Sequence, residues 1–166
     1  SKSPWASPVV LVEKKDPSDG PRFCIDFTKL NTITKKDCYP VPLIQDVFDQ
    51  LHGSAIYSTL DLKSGFYQLP LEQTSMEKTA FTCFRGLFEF TTMPMGLSNA
   101  TAAFQRAMDE VLRGLIGQCC MIYVDDVVVY SPDVVTHARH LQAVVDRFKE
   151  YHLTLNPKKC TLGKVK

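Results

Sequence analysis

The stretch that most limits what this chain can be is Cys119–Tyr130, Cys-Cys-Met-Ile-Tyr-Val-Asp-Asp-Val-Val-Val-Tyr. Met121–Val124 and Val127–Tyr130 each read as a short buried strand, rich in β-branched and aromatic residues. Two strands meeting around Asp125 and Asp126 make a hairpin with both acids at or beside its tip. Adjacent carboxylates on an apolar support repel each other and lose hydration. A hard divalent cation compensates, because Mg²⁺ takes carboxylate oxygens and keeps positions open for phosphate. The competing reading is a solvent-exposed turn, where paired aspartates are ordinary. A second carboxylate in a similar setting weighs toward the metal. Asp61 lies within Leu60-Asp61-Leu62 at the end of an alternating stretch, Ala55–Leu62. Taken alone, Asp61 is equally a cap for the turn that follows it.

Composition sets the outer limits. A chain of 166 residues with 45% hydrophobic content makes one domain or two closely packed lobes with a real core. The net charge of +1 is not a basic nucleic-acid signature, so positive charge that meets a template must be local. Six cysteines, Cys24, Cys38, Cys83, Cys119, Cys120 and Cys160, form no C-x-x-C pair and sit mostly in apolar strands. Buried free thiols in a reducing, intracellular setting suit them better than disulfides or zinc. No apolar run reaches membrane-spanning length and no signal peptide is visible. The ends carry no clear closing element, so the chain reads as a piece of something longer.

In order, Val9–Val12 and Arg22–Phe27 read as strands around the turn Asp16–Pro21. Lys14, Lys15 and Arg22 cluster there, as solvated hairpin ends often do. Asn31–Tyr39 reads as a polar connector. Pro42 opens a helix to about His52, with Ile44, Val47, Phe48 and Leu51 on one face and Gly53 after it. Ser75–Thr79 reads as a short helical turn, and Ala80–Phe84 and Leu87–Thr92 as paired strands. Ser98 or Asn99 caps a helix to about Leu115, with Phe104, Ala107, Met108, Val111, Leu112 and Leu115 inward. A further helix runs from Ser131-Pro132-Asp133 to near His152. On it His137 and His140 lack a third ligand and are expected in solvent. Leu153–Leu155 reads as a short strand, followed by the basic turn Asn156-Pro157-Lys158-Lys159-Cys160.

Several of these stretches, in this order, resemble reverse transcriptases of the gypsy-type LTR retrotransposon and retrovirus branch, over essentially the whole chain. Tyr123-Val124-Asp125-Asp126 resembles the catalytic motif, and Leu60–Leu71 the first catalytic motif. Ile25–Asn31 resembles the Ile-Asp-Phe…Leu-Asn signature, and Asn156–Cys160 the fourth palm motif. The resemblance implies an α/β (α+β) right-hand polymerase: an antiparallel palm sheet packed on two helices, with fingers at about 1–54 and 72–92 and palm at 55–71 and 93–166. It implies RNA-directed DNA polymerisation, a nucleotidyltransferase reaction on a template-primer of RNA or DNA with deoxynucleoside triphosphates. Asp61, Asp125 and Asp126 would hold two Mg²⁺ or Mn²⁺ ions. Lys14 or Lys15, with Arg22, would close over the triphosphate, and Phe66 would lie under the sugar. Met95, Gly96 and Gln105 would flank the new base pair, and Lys158 or Lys159 would protonate the leaving pyrophosphate.

Three departures from the pattern stand out: Thr28 where arginine is usual, Met95 where an aromatic residue or glutamine is usual, and Thr101 where proline is usual. Nothing in the chain resembles the family's thumb or ribonuclease H, so the 166 residues alone are expected to polymerise weakly or not at all. No membrane partner is expected, and the setting is a cytoplasm or virus-like particle. Two other classes compete. A domesticated or fragmentary module would bind nucleic acid or a protein without catalysis, and intact Asp61, Asp125 and Asp126 argue against such decay. A nucleotide cyclase shares a palm-like sheet and paired carboxylates, but the fingers hairpin and Leu97–Gln105 argue against it.

Overall fold

Two four-stranded sheets organise the computed structural model, which describes residues 1–13, 20–40, 44–123 and 126–165. The backbone gathers into two units, Ser1–Asp37 with Phe66–Ala100, and Cys38–Gly65 with Thr101–Lys166.

In the first unit, β1 (Ser7–Val12) pairs antiparallel with β2 (Arg22–Ile25), matching Val9 to Ile25 and Val12 to Arg22. β4 (Phe81–Cys83) and β5 (Gly86–Phe88) form a second hairpin. A parallel pairing of Ser7 with Phe81 joins the two into one sheet, ordered β2-β1-β4-β5. The Phe81 ring anchors the junction, with the rings of Phe23, Phe88 and Phe90 centred 5.7, 5.9 and 5.2 Å away. Such clusters add favourable edge and offset contacts to the area they bury.

Of the stretch expected as a connector, Asn31–Tyr39, the first three residues instead complete a helix, α1 (Thr28–Ile33), and the rest is irregular as expected. Asp26 takes the Thr28 backbone N–H at 2.9 Å and the Thr28 hydroxyl, which turns the chain out of β2. Those bonds hold the Asp26 carboxyl below its ordinary value. Between the hairpins, α3 (Gln73–Met76) runs into a 3₁₀ turn at Glu77–Thr79, as the short helical turn predicts.

The second unit is a fully antiparallel sheet, ordered β6-β7-β3-β8. Its strands are β3 (Ile56–Asp61), β6 (Cys120–Tyr123), β7 (Asp126–Ser131) and β8 (Thr161–Val165). Alternation sorts its two faces. Ile56, Ser58 and Leu60 of β3 are buried, opposite Ser131, Val129 and Val127 of β7. Helix α5 (Val134–Glu150) packs on β7 and β3 with Val144 and Phe148 buried. Asp133 caps it, accepting from Thr136 N at 2.9 Å. Helix α4 (Ala100–Val111), all but its first residue in this unit, buries Phe104, Met108 and Val111, and Leu112 follows. The mixed α and β content with an antiparallel sheet is the fold class expected.

Four local readings are corrected. His137 is 4% exposed and sits against the sheet, because its ring finds two serine hydroxyls there. Thr161–Val165 form a strand, β8, whose pattern Gly163 and Lys164 disguised. Leu153–Leu155 forms only a single bridge, Leu62 to Leu155. Asn99 does not spend its side chain on a cap: it donates to Lys35 O at 2.9 Å and accepts from Asp37 N at 3.1 Å. Helix α2 spans Ile44–Leu51 and Gly53 follows with φ +83°, but Pro42 and the side chains of Ile44, Val47 and Phe48 lie outside the described residues. Of the cysteines, Cys119 and Cys120 are buried, Cys24, Cys83 and Cys160 are half-buried, and Cys38 is exposed; all six are free. The Cys120 thiol is held far above the ordinary thiol range by its bond with Cys119 and by burial.

Candidate active site

Asp61 and Asp126 are direct cross-strand partners at the ends of β3 and β7. Opposed residues of an antiparallel pair share a face, with Cβ atoms about 4.5–5.5 Å apart. That face is the one turned away from the His137 side of the sheet, since Leu60 and Val127, the next pair in, are buried on the other. The apolar alternation of both strands therefore delivers two carboxylates to one open corner. Asp125 and Val124 lie outside the described residues, so the third expected ligand has no described position. Among the described residues no group of three His, Cys, Asp or Glu side chains gathers to hold a metal. The two that do meet are hard oxygen donors side by side, a set that suits Mg²⁺ or Mn²⁺.

The turn after Leu155 wraps this corner. Asp61 O accepts from Asn156 N at 2.8 Å, and Lys63 N donates to Thr154 O at 2.9 Å. These bonds bring Lys159 Nζ to 3.5 Å from Asp61 Oδ2. Spacing left Lys158 and Lys159 equal; here both are exposed, and Lys159 is the one at the Asp61 carboxylate. The pair is open to water, so its worth is small and its meaning is position.

Gln105 lies in the same unit but is 2% exposed. Its Nε2 donates to Asp109 Oδ1 at 3.0 Å, and Asp109 Oδ2 accepts from Tyr39 OH at 2.6 Å. Its Oε1 is buried and finds no partner among the described residues. The amide thus braces α4 against the Tyr39 segment. Gly65 approaches the same helix so closely that a Cβ there would meet the Phe104 ring at 3.0 Å.

The remaining expected residues belong to the first unit. Arg22 is exposed at the start of β2 and Phe66 is half-buried in a 3₁₀ turn, Gly65–Gln68. Met95 is 48% exposed, and Gly96 adopts φ +93°, a backbone that only glycine takes without strain. Lys14 and Lys15 lie outside the described residues.

One residue that holds this loop had no role assigned from sequence. Asn31 donates from Nδ2 to Gly96 O at 2.8 Å and accepts at Oδ1 from Ser98 N at 2.8 Å. Its place at the end of the Ile25–Asn31 signature was the available signal. Asn31→Asp keeps the acceptor but sets a charge against the Gly96 carbonyl, and Asn31→Ala removes both bonds. Each is expected to cost about 1–3 kcal/mol, read as a lower melting temperature. Unchanged stability in both would show that the loop holds itself.

With this geometry in view, comparison with known proteins is direct. Residues 12–166 match the family model described as Reverse transcriptase (RNA-dependent DNA polymerase). The chain is 40% identical over 162 residues to the retrovirus-related Pol polyprotein from transposon opus of Drosophila melanogaster, covering 96% of this chain and 16% of that protein. It is 44% identical over 149 residues to the polyprotein from transposon gypsy of the same organism, covering 87% and 14%. Foamy viral protease-reverse transcriptase in complex with double-stranded DNA superposes with TM-score 0.88 at 25% identity, over 99% of this chain and 28% of that one. The same viral protein with an RNA/DNA hybrid gives 0.86 at 25% identity, over 98% and 21%. A match across 155 positions, paired carboxylates at the end of a palm-like sheet and relatives in gypsy-type Pol polyproteins place this chain in the reverse transcriptase family.

Proposed function

We propose that this chain provides the fingers and palm of an RNA-directed DNA polymerase, and that its second unit holds the catalytic corner. The observation that carries the reading is the register of Asp61 with Asp126, with Lys159 on the Asp61 carboxylate. Family membership and the nucleic-acid complexes formed by the foamy viral relatives support it. The chain spans only 14–16% of the retrotransposon polyproteins it matches, so the activity of a whole protein is part of the proposal.

In this reading Asp61 and Asp126, with Asp125, would hold divalent metal. Bound Mg²⁺ would supply Lewis-acid stabilisation of the charge that develops in nucleotidyl transfer. The chain's own side chains do the rest. Lys159, next to Asp61, gives a proton to the departing pyrophosphate. Arg22, with Lys14 or Lys15, meets the triphosphate of the incoming deoxynucleotide. Met95 and Gly96 present the flat platform on which the new base pair is tested, and Phe66 crowds the position of a 2′-hydroxyl. Gln105 acts through α4 and not by touching the nucleotide. The template-primer, RNA or DNA, is held by backbone and shape and not by base sequence.

A metal titration tests the corner without requiring turnover. Millimolar Mn²⁺ is expected to raise the melting temperature, since ligand that binds only the folded state adds about 2.7 kcal/mol at a hundredfold excess over Kd. Asp126→Asn should shrink the rise and Asp61→Asn with Asp126→Asn should remove it. An undiminished rise in the double variant would locate the metal elsewhere.

A further inference from the structure

Strand β8 loses step with β3 opposite Ser58. Tyr57 pairs with Lys164 and Thr59 with Thr161, so Leu162 and Gly163 together oppose one residue. This is a bulge, and Gly163 has φ +62°, the left-handed backbone that such a position favours in glycine. The Gly163 N–H is taken by the Ser58 hydroxyl, at 2.9 Å. Ser58 is 1% exposed, so water does not compete for that bond. The same hydroxyl lies 2.7 Å from His137 Nε2. On the other side of the ring, His137 Nδ1 lies 2.9 Å from Ser131 Oγ, which is also 1% exposed. Ser131 Oγ is in turn 2.8 Å from His140 Nδ1, itself 3.2 Å from the Tyr130 carbonyl. A carbonyl only accepts, so His140 Nδ1 carries a proton.

A neutral His137 ring has one donor and one acceptor nitrogen, and either tautomer lets one serine donate to it. A protonated ring has two donors. Ser58 would then accept from Gly163 and from the ring, Ser131 would accept from His140 and from the ring, and neither serine proton could go to the imidazole. The neutral ring gives one serine proton an acceptor that the protonated ring denies it, so the network favours the neutral form. Among the described residues, the groups hydrogen-bonded to the ring are the Ser58 hydroxyl from β3 and the Ser131 hydroxyl from β7. The titratable group that acts on it is His140, one helical turn along. Burial first, and then His140, holds the imidazole below the usual histidine value of 6.5.

We propose that His137 is a positioning residue: wedged in its neutral form between Ser58 and Ser131, it fixes the bulge of β8 and thereby the approach of Lys159, two residues before that strand, to Asp61. This rests on the reading of the Asp61–Lys159 corner as catalytic. The direction of its pH dependence follows. The folded chain resists protonating His137 while the unfolded chain accepts the proton at the ordinary value. Stability contributed by the neutral ring is complete above that value and falls as pH drops below it.

The test follows the Gly163 amide and the two lysines in the chain itself. Gly163 hydrogen exchange, corrected for its intrinsic pH dependence, is expected to quicken by up to about tenfold as wild type passes from about pH 7.5 to about 5.5, across the ordinary histidine value. His137→Phe should exchange quickly at both pH values and lose the step. Ser58→Ala, which removes one hydroxyl and no ring, should expose the amide even where the Phe variant fails to fold. Lysine acylation read by mass spectrometry supplies the second readout. The Lys159-to-Lys158 ratio should rise about two- to fivefold in Ser58→Ala, the range for freeing a solvent-exposed ion pair. A pH-independent Gly163 amide in wild type, or an unchanged lysine ratio in Ser58→Ala, overturns the proposal. Neither readout needs polymerisation, so a chain that passes both and still extends no primer would sink the polymerase reading alone.

Discussion

Asp61→Asn is expected to lower RNA-templated primer extension by at least roughly 10²–10³-fold, the loss typical of removing one electrostatic stabiliser from an active site. The substitution keeps shape and removes charge. The Asp61 main chain still accepts from Asn156, and the ion pair with Lys159 is too exposed to matter much to stability. Folding should therefore survive, and the loss should appear in turnover. Lys159→Gln should cost less and should shift the pH dependence of turnover, while Lys158→Gln, off the carboxylate, should stay close to wild type. The measurement is primer extension on a primed RNA template with Mg²⁺ or Mn²⁺, using this chain fused to a reverse transcriptase thumb, beside melting curves. Full activity in well-folded Asp61→Asn would end the assignment of this corner.

The largest expected effect on stability is at Phe148. Its ring is 1% exposed on the inner face of α5. Phe148→Ala removes that burial and leaves a cavity, at about 3–5 kcal/mol. For a chain of this size each kcal/mol moves the melting temperature by about 2–4 °C, so a fall of about 6–20 °C is expected. Phe84 makes the control, because it is equally large but 95% exposed at the β4–β5 turn, with the Arg85 guanidinium 5.6 Å over its ring. Phe84→Ala should change stability by no more than about 0.5 kcal/mol. Equal losses at the two positions, in denaturant or heat, would contradict the burial that separates them.

The site was partly legible because its motifs are local. Leu60-Asp61-Leu62 and Val127–Tyr130 announce strands through alternation and β-branching, and both strands lie where those patterns fall. Asn156–Cys160 announced a basic turn, but which lysine faces the acid depends on how the chain after Leu155 crosses Asp61. That crossing is made by the Leu62–Leu155 bridge and the Asn156 N–H, contacts between residues more than ninety positions apart. Gln105 shows the same division. A glutamine on an amphipathic helix is apparent from sequence, while its burial against Asp109 comes from the segment carrying Tyr39.

What the amino-acid order determined by itself is therefore the set of short-range patterns: the alternating strands, the inward stripe of α4, and the carboxylates at strand ends. Each depends on spacing along one element, where side-chain direction repeats every two or 3.6 residues. What only the tertiary structure decided is partnership. Parallel β1–β4 pairing fused two hairpins into one sheet, and β8 closed the other sheet across a glycine bulge that breaks its pattern. His137 reads as a surface histidine until Ser58 and Ser131, 79 residues away and six residues away, supply its hydrogen bonds. A buried polar group is stable only with such partners. Their arrival is a property of the fold, which no local spacing encodes.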